Sequence, residues 1–167
     1  MAREEVEVIP KNDIAPNSVT REAASMSRSY PDRPYVGVGI VVFRVDKVLL
    51  VERAKPPIRN RWSIPGGAQE IGETVREAAA RELMEETGVE ADFIGLIDVV
   101  DGITRDQESR VQFHYTLVDF AAEWRSGEAV AADDVAAVRW VPLENIETIG
   151  LWTETLRIIR LGQSMRL

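Results

Sequence analysis

The chain has 167 residues, with 28 Asp and Glu against 20 Lys and Arg, a formal net charge of −8 and no cysteine. That length fits one domain with a proper core, and the lack of cysteine excludes disulfides, thiolate catalysis and Cys-based zinc sites. The acidic balance argues against a nucleic-acid backbone as partner, which would need a basic stripe, and no apolar run approaches the roughly 18 residues of a membrane span.

Residues 1–34 are polar and charged, with prolines at 10, 16, 31 and 34. They read as an extension that is partly disordered or bridges a dimer, with a short helix over 20–28. With charge from Arg3 onward and no secretory signal, the expected location is cytoplasmic. Residues 35–167 make up the main domain. Its runs 35–44 and 47–52 are β-rich and separated by a turn near Asp46, the pattern of a hairpin. A short strand over 61–64 leads into a glycine loop at Gly66 and Gly67, where the backbone can come close to a ligand. Thr74 followed by Glu77 is a capping box, so a helix starts just after Glu73, and Gly88 ends it. Val75, Ala79 and Leu83, with Ala78 alongside, form its apolar stripe, while Glu82, Glu85 and Glu86 occupy a separate flank. Strands over 93–100 and 111–120 follow, joined by a charged loop at 101–110, and another strand covers 137–141. Residues 151–161 carry Trp152, Leu156 and Ile159 at i, i+4 and i+7, the spacing of a closing amphipathic helix. Strands before and after a central helix, plus a terminal helix, indicate an α/β domain with a mixed sheet.

Glu82, Glu85 and Glu86 lie at i, i+3 and i+4, where like charges repel, and they sit at the negative end of the helix dipole. A cation relieves both costs. Hard divalent cations take oxygen ligands, commonly one or two carboxylates with substrate phosphate and water, so phosphate chemistry is the first hypothesis. Arg81, four residues after Glu77 and four before Glu85, is placed to orient carboxylates without binding metal. An anionic substrate would be repelled by this chain unless cations and arginines reverse the local potential, which predicts strict metal dependence.

The spacing Gly67, five residues, Glu73, seven residues, then Arg81-Glu82-Leu83-Met84-Glu85-Glu86-Thr87-Gly88-Val89 resembles the Nudix hydrolase family. Every fixed position of that family's signature is matched over residues 67–89, and the similarity extends over about 35–145. The resemblance implies an α/β/α sandwich around a mixed β-sheet. It implies that the Gly67 carbonyl is a metal ligand, that Glu82 and Glu86 are the principal carboxylate ligands, and that Glu85 either ligates or helps activate water. Glu85 and Glu86 then form the catalytic machinery, with Arg81 and Glu73 bracing them. A further acidic residue, Asp134 or Asp133, completes the metal cluster, and Arg53 reaches substrate phosphate. Mg²⁺ is the implied cofactor, and Mn²⁺ accepts the same oxygen ligands.

The implied reaction is hydrolysis of the pyrophosphate bond of a nucleoside diphosphate linked to another moiety, with an ADP-ribose-like substrate favoured. The alternatives are a nucleoside-triphosphate pyrophosphatase for damaged nucleotides and a non-catalytic nucleotide-sensing module. The proline found in ADP-ribose-specific members is absent, since Ile103-Thr104-Arg105-Asp106 occupies that region, and so is the Ser-Gln-Pro-Trp-type motif of NADH-specific members. The expected partner is a nucleotide-containing small molecule, with no nucleic acid and no membrane; dimers are common among the proteins it resembles, so a homodimer is the candidate assembly. Asp101, Asp106 and Glu108 of the 101–110 loop are runner-up general bases, because loops set on a sheet commonly carry function. Trp62 is expected in the core rather than stacked on a base. His114 alternates with Phe113 and Tyr115 and faces away from them, and a structural or exposed role is expected for it rather than substrate contact.

Overall fold

The computed structural model describes residues 28–55 and 58–167. The helix expected over 20–28 and most of the extension lie outside the described residues. Strands β1 (Tyr35–Arg44) and β2 (Lys47–Arg53) form the expected hairpin, with Phe43 paired to Val48 and Arg44 to Lys47. The short strands β3 (Trp62–Ser63) and β4 (Gly66–Ala68) precede helix α1 (Val75–Thr87). Then come β5 (Glu90–Arg105), β6 (Val111–Ser126), β7 (Val135–Pro142), a 3-10 helix (Leu143–Ile149) and helix α2 (Thr153–Ser164).

The sheet runs β3-β2-β1-β6-β5, with β4 paired to β1 and β7 to β2. The β1–β6 pair is parallel and the others are antiparallel, so the sheet is mixed as expected. Side chains alternate across a strand, and here the alternation sorts the apolar residues into two cores. Val38, Ile40, Val42, Leu49, Phe120 and Ala122 pack with Ala78, Ala79 and Leu83 of α1. Val41, Phe43, Val48, Leu50 and Ala121 pack with Ile158 and Ile159 of α2. One helix therefore covers each face, which is the α/β/α sandwich. Each fully buried Val, Leu, Ile or Phe contributes about 1.5–3 kcal/mol relative to exposure.

Several expectations require correction. Gly66 and Gly67 belong to strand β4, with Gly39 paired to Gly66 and Val38 to Gly67. The missing side chain serves strand pairing as well as ligand approach, because a Cβ on Gly66 would lie 2.0 Å from the Val38 carbonyl oxygen. The charged segment 101–105 continues β5, and only 106–110 forms the turn. Asp106 ties that turn, accepting the N–H groups of Glu108 and Arg110 at 2.9 and 3.0 Å and the Tyr30 hydroxyl at 3.0 Å. It is a structural acid, and β5 carries its neighbouring charges on an exposed strand. Helix α2 begins one residue after Trp152, which is 45% exposed. Its buried face is Ile158, Ile159 and Gly162. Gly162 lets the helix close on the sheet, since a Cβ there would meet Ile97 at 2.9 Å and Phe43 at 3.4 Å.

Candidate active site

Helix α1 forms where the sequence specifies it. Thr74 caps it, accepting the Glu77 N–H at 3.2 Å, while Glu77 accepts the Thr74 N–H at 2.8 Å. Gly88 ends it in the left-handed conformation, φ 69°, a backbone that glycine adopts without a Cβ clash. Glu77 is committed to this cap and accepts no hydrogen bond from Arg81, correcting the expected pairing across one turn.

Arg81 instead braces the carboxylates around it. Its Nε and Nη2 donate to Glu73 at 3.0 and 2.7 Å, and its Nη1 donates to Glu82 at 2.9 Å and Glu85 at 3.1 Å. Nη2 also reaches the Ala68 carbonyl at 3.2 Å, tying the helix to β4. The Glu73 hydrogen bond is the main influence raising the Arg81 pKa, and the same bond holds Glu73 below the ordinary carboxylate value. Both ends of the pair stay charged.

Glu86 is 1% exposed, so the acidic flank is not wholly separate from the buried face of the helix. Its carboxylate accepts the Gly66 N–H at 3.0 Å and a short charge-assisted bond from Arg53 Nη1. Burial pushes its pKa up to about 7 against the pull of Arg53 and Gly66, and the nearby charges of Glu82 and Asp134 add to the rise. Glu82 is raised chiefly by burial too, with Arg81 opposing. Glu82 lies directly over Gly67: a Cβ there would fall 2.4 Å from its carboxyl carbon. Glu85 is the most open of the three, its side chain 33% exposed beside Arg81.

Arg53 is engaged on every nitrogen. Besides Glu86, it donates from Nε to Ser63 Oγ at 3.1 Å and from Nη2 to the Ile64 and Gly66 carbonyls at 3.1 and 3.0 Å. Arg53 borders a cavity of about 510 Å³, as do Gly66, Gly67 and Asp134, a size that suits a small-molecule ligand. Asp133 is exposed at φ 56° and does not line this cavity, which separates it from Asp134. Trp62 is half-buried against the α2-side core and lines the cavity, so packing and ligand contact are compatible at that position. His114 is not among the lining residues, whereas its neighbours Phe113 and Tyr115 are; strand alternation turns it to the other face.

Asp119 also lines the cavity, and sequence reasoning did not single it out. Burial chiefly raises its pKa to about 6, with Asp98 adding and Arg157 opposing. The signal available was one carboxylate inside the apolar run Leu117-Val118-Asp119-Phe120-Ala121-Ala122. Gly39 faces this acid across the β1–β6 pair. A Cβ there would lie 2.2 Å from Asp119 Oδ1, so this glycine makes room for the acid.

The candidate donors are all oxygens: the Gly67 carbonyl, Glu82 over it, Glu86, and Asp134, which lines the same cavity and whose charge acts on Glu86. Glu82 and Glu86, both raised by burial and with Glu82 adding to the rise of Glu86, fit a hard divalent cation. Among the described residues no three acidic side chains already converge as a cage. Mg²⁺ does not require one, since it commonly combines one or two carboxylates with water and substrate phosphate. Among the described residues no helix is long and apolar enough to cross a membrane.

The NUDIX domain family model matches residues 33–161. The ADP-ribose pyrophosphatase of Methanocaldococcus jannaschii is 33% identical over 113 residues, covering 68% of this chain and 64% of that protein. The chain thus spans slightly less than two thirds of that relative's length. The crystal structure of a MutT NUDIX hydrolase from Burkholderia pseudomallei matches with a TM-score of 0.68 at 28% identity, covering 78% of this chain and 98% of that one. The NUDIX domain of Shewanella oneidensis NrtR, complexed with ADP ribose, matches with a TM-score of 0.66 at 25% identity, covering 80% of this chain and 89% of that one.

Proposed function

Since the chain belongs to the Nudix family, we propose that it hydrolyses the pyrophosphate bond of a nucleoside diphosphate linked to another moiety, an ADP-ribose-like compound. The observation that carries this reading is the pair of half-buried Glu82 and buried Glu86, braced by Arg81 and Arg53 beside a cavity of about 510 Å³. The named relative and the ADP-ribose-bound neighbour support the substrate class.

The Gly67 carbonyl, Glu82 and Glu86 would hold a divalent cation, Mg²⁺ or Mn²⁺, with Glu85 and Asp134 adding negative charge around it. When bound, such a cation polarises phosphate oxygens and lowers the pKa of bound water. The chain's own residues do the rest. Arg81 and Glu73 keep Glu82 and Glu85 oriented, and a fixed geometry is what lets such groups act without reorganising during reaction. Glu85, the most open carboxylate of the three, takes the proton of the attacking water. Arg53 offers a planar fork suited to phosphate, which competes with Glu86 for the guanidinium.

The test is product analysis with ADP-ribose, with Mg²⁺ and with chelator. AMP and ribose phosphate are expected with the metal and no turnover without it. Glu82→Gln and Glu86→Gln should each lower turnover by at least about 100-fold, and near-normal turnover in both would overturn the assignment. A relative from Mycobacterium tuberculosis named putative 8-oxo-dGTP diphosphatase 2, 36% identical over 107 residues, supports a second reading, a nucleoside-triphosphate pyrophosphatase. Release of nucleoside monophosphate and pyrophosphate from triphosphates, with ADP-ribose untouched, would favour it. Ligand binding without turnover of either class would favour a sensing module.

A further inference from the structure

The cavity's least explained polar group lies away from the signature helix. Asp119 sits mid-strand on β6, only 6% exposed, and lines the cavity. Strand pairing places it between Gly39 of β1 and Asp98 of β5. Like charges opposite one another on a sheet are destabilising, so folding alone does not favour this arrangement. The cation whose charge acts on Asp119 is already committed: Arg157 donates to Asp98 at 2.9 Å and to Glu154 at 2.9 Å. Asp119 accepts no hydrogen bond from any described residue. No fully sealed side-chain oxygen or nitrogen is left unpaired among the described residues, so the Asp119 oxygens must open to the cavity. A buried carboxyl in such a position has its hydrogen-bonding capacity left for a ligand.

The surroundings indicate which part of a ligand. Asp119 shares the cavity with Leu117, Tyr115 and Ile64, apolar and aromatic surface that suits a flat ring rather than a phosphate. On Gly39 a Cβ would lie 2.2 Å from Asp119 Oδ1 and 2.7 Å from an Ile64 methyl, so the acid and Ile64 take the space a side chain would fill. Arg53, whose planar fork suits phosphate, lies on β2 and is held there by Glu86, Ser63 and the Ile64 and Gly66 carbonyls. An anionic or acceptor-rich group is disfavoured next to Asp119 by the charge of Asp98.

We propose that Asp119 is a specificity-determining residue that accepts a hydrogen bond from the exocyclic amino group of the substrate's nucleobase. The ligand class is a nucleotide whose base carries an amino group, and keto-only bases are rejected. This rests on the nucleotide reading of the same cavity, and its test can fail separately from that reading.

The experiment measures calorimetric binding of AMP, GMP and IMP, and in parallel turnover of ADP-ribose and its inosine counterpart, in the wild type and Asp119→Ala. At least one of AMP and GMP should bind the wild type about 10- to 100-fold more tightly than IMP, the range expected for a hydrogen bond to a charged partner. Asp119→Ala should remove most of that preference, leaving IMP affinity within about twofold. For an amino-base substrate, KM should rise while kcat stays near the wild-type value. A merely structural role would instead weaken all three ligands alike and lower the melting temperature. Equal wild-type affinities, absence of binding by all three nucleotides, or a preference that survives Asp119→Ala would overturn the assignment. Discrimination in binding without hydrolysis would leave Asp119 in place and sink the reaction; hydrolysis without discrimination would do the reverse.

Discussion

Asp119→Asn removes a buried ionisable group while keeping the side chain's size. The carboxyl is raised from 3.8 to about 6, first by burial and then by Asp98, with Arg157 opposing. A folded-state pKa above the unfolded value means that the native protein holds this proton more tightly. The associated stability is present below about pH 3.8 and is lost as the pH rises through about 6. At 1.36 kcal/mol per unit, the roughly two-unit shift amounts to about 3 kcal/mol at pH 8, and about half of that loss has developed at pH 5. Asparagine does not titrate, so the variant should exceed the wild type by about 3 kcal/mol at pH 8 and by about half as much at pH 5. Urea denaturation followed by tryptophan fluorescence, in chelator at both pH values, reads the difference. A pH-independent gap, or a variant less stable than wild type at pH 8, would refute the view that the acid is held at an energetic cost. Greater stability with weaker base discrimination is the trade expected of a functional group in a core.

Two further substitutions probe the signature helix. Arg81→Lys removes the fork that contacts Glu73 at 3.0 and 2.7 Å together with Glu82 and Glu85; turnover should fall about 10- to 100-fold and half-activation should need more Mg²⁺. An unchanged Mg²⁺ requirement in an activity titration would show that the brace is unimportant. Gly67→Ala places a Cβ 2.4 Å from the Glu82 carboxyl group, which Arg81 holds from another side. Circular dichroism should show the fold retained while turnover drops by at least about 100-fold, and wild-type turnover would contradict the placement of Glu82 over this glycine.

The elements legible in the sequence are those set by neighbours along the chain. The Thr74–Glu77 capping box and the Gly88 stop bound α1 because both act through local hydrogen bonds and backbone freedom. The β1–β2 hairpin and the order of the remaining main strands follow from residue preference and period, and the acidic cluster of Glu82, Glu85 and Glu86 follows from helical spacing. The terminal helix was legible as an element and in Leu156 and Ile159, which pack on the core, but Trp152 stays exposed and Ile158 and Gly162 complete the buried face, because the helix's position over the sheet depends on Gly162 fitting against Phe43 and Ile97.

The sequence by itself therefore determined the signature helix, its carboxylates and the α/β class, since local propensity, capping and charge spacing need no distant partner. The tertiary structure decided that Gly66 to Ala68 pair as a strand with β1, that Glu86 is buried against Arg53 from 33 residues away, and that Asp119 opens into the cavity beside Gly39. Burial and strand pairing join residues far apart in the chain, and they set the pKa values and cavity walls on which substrate choice depends.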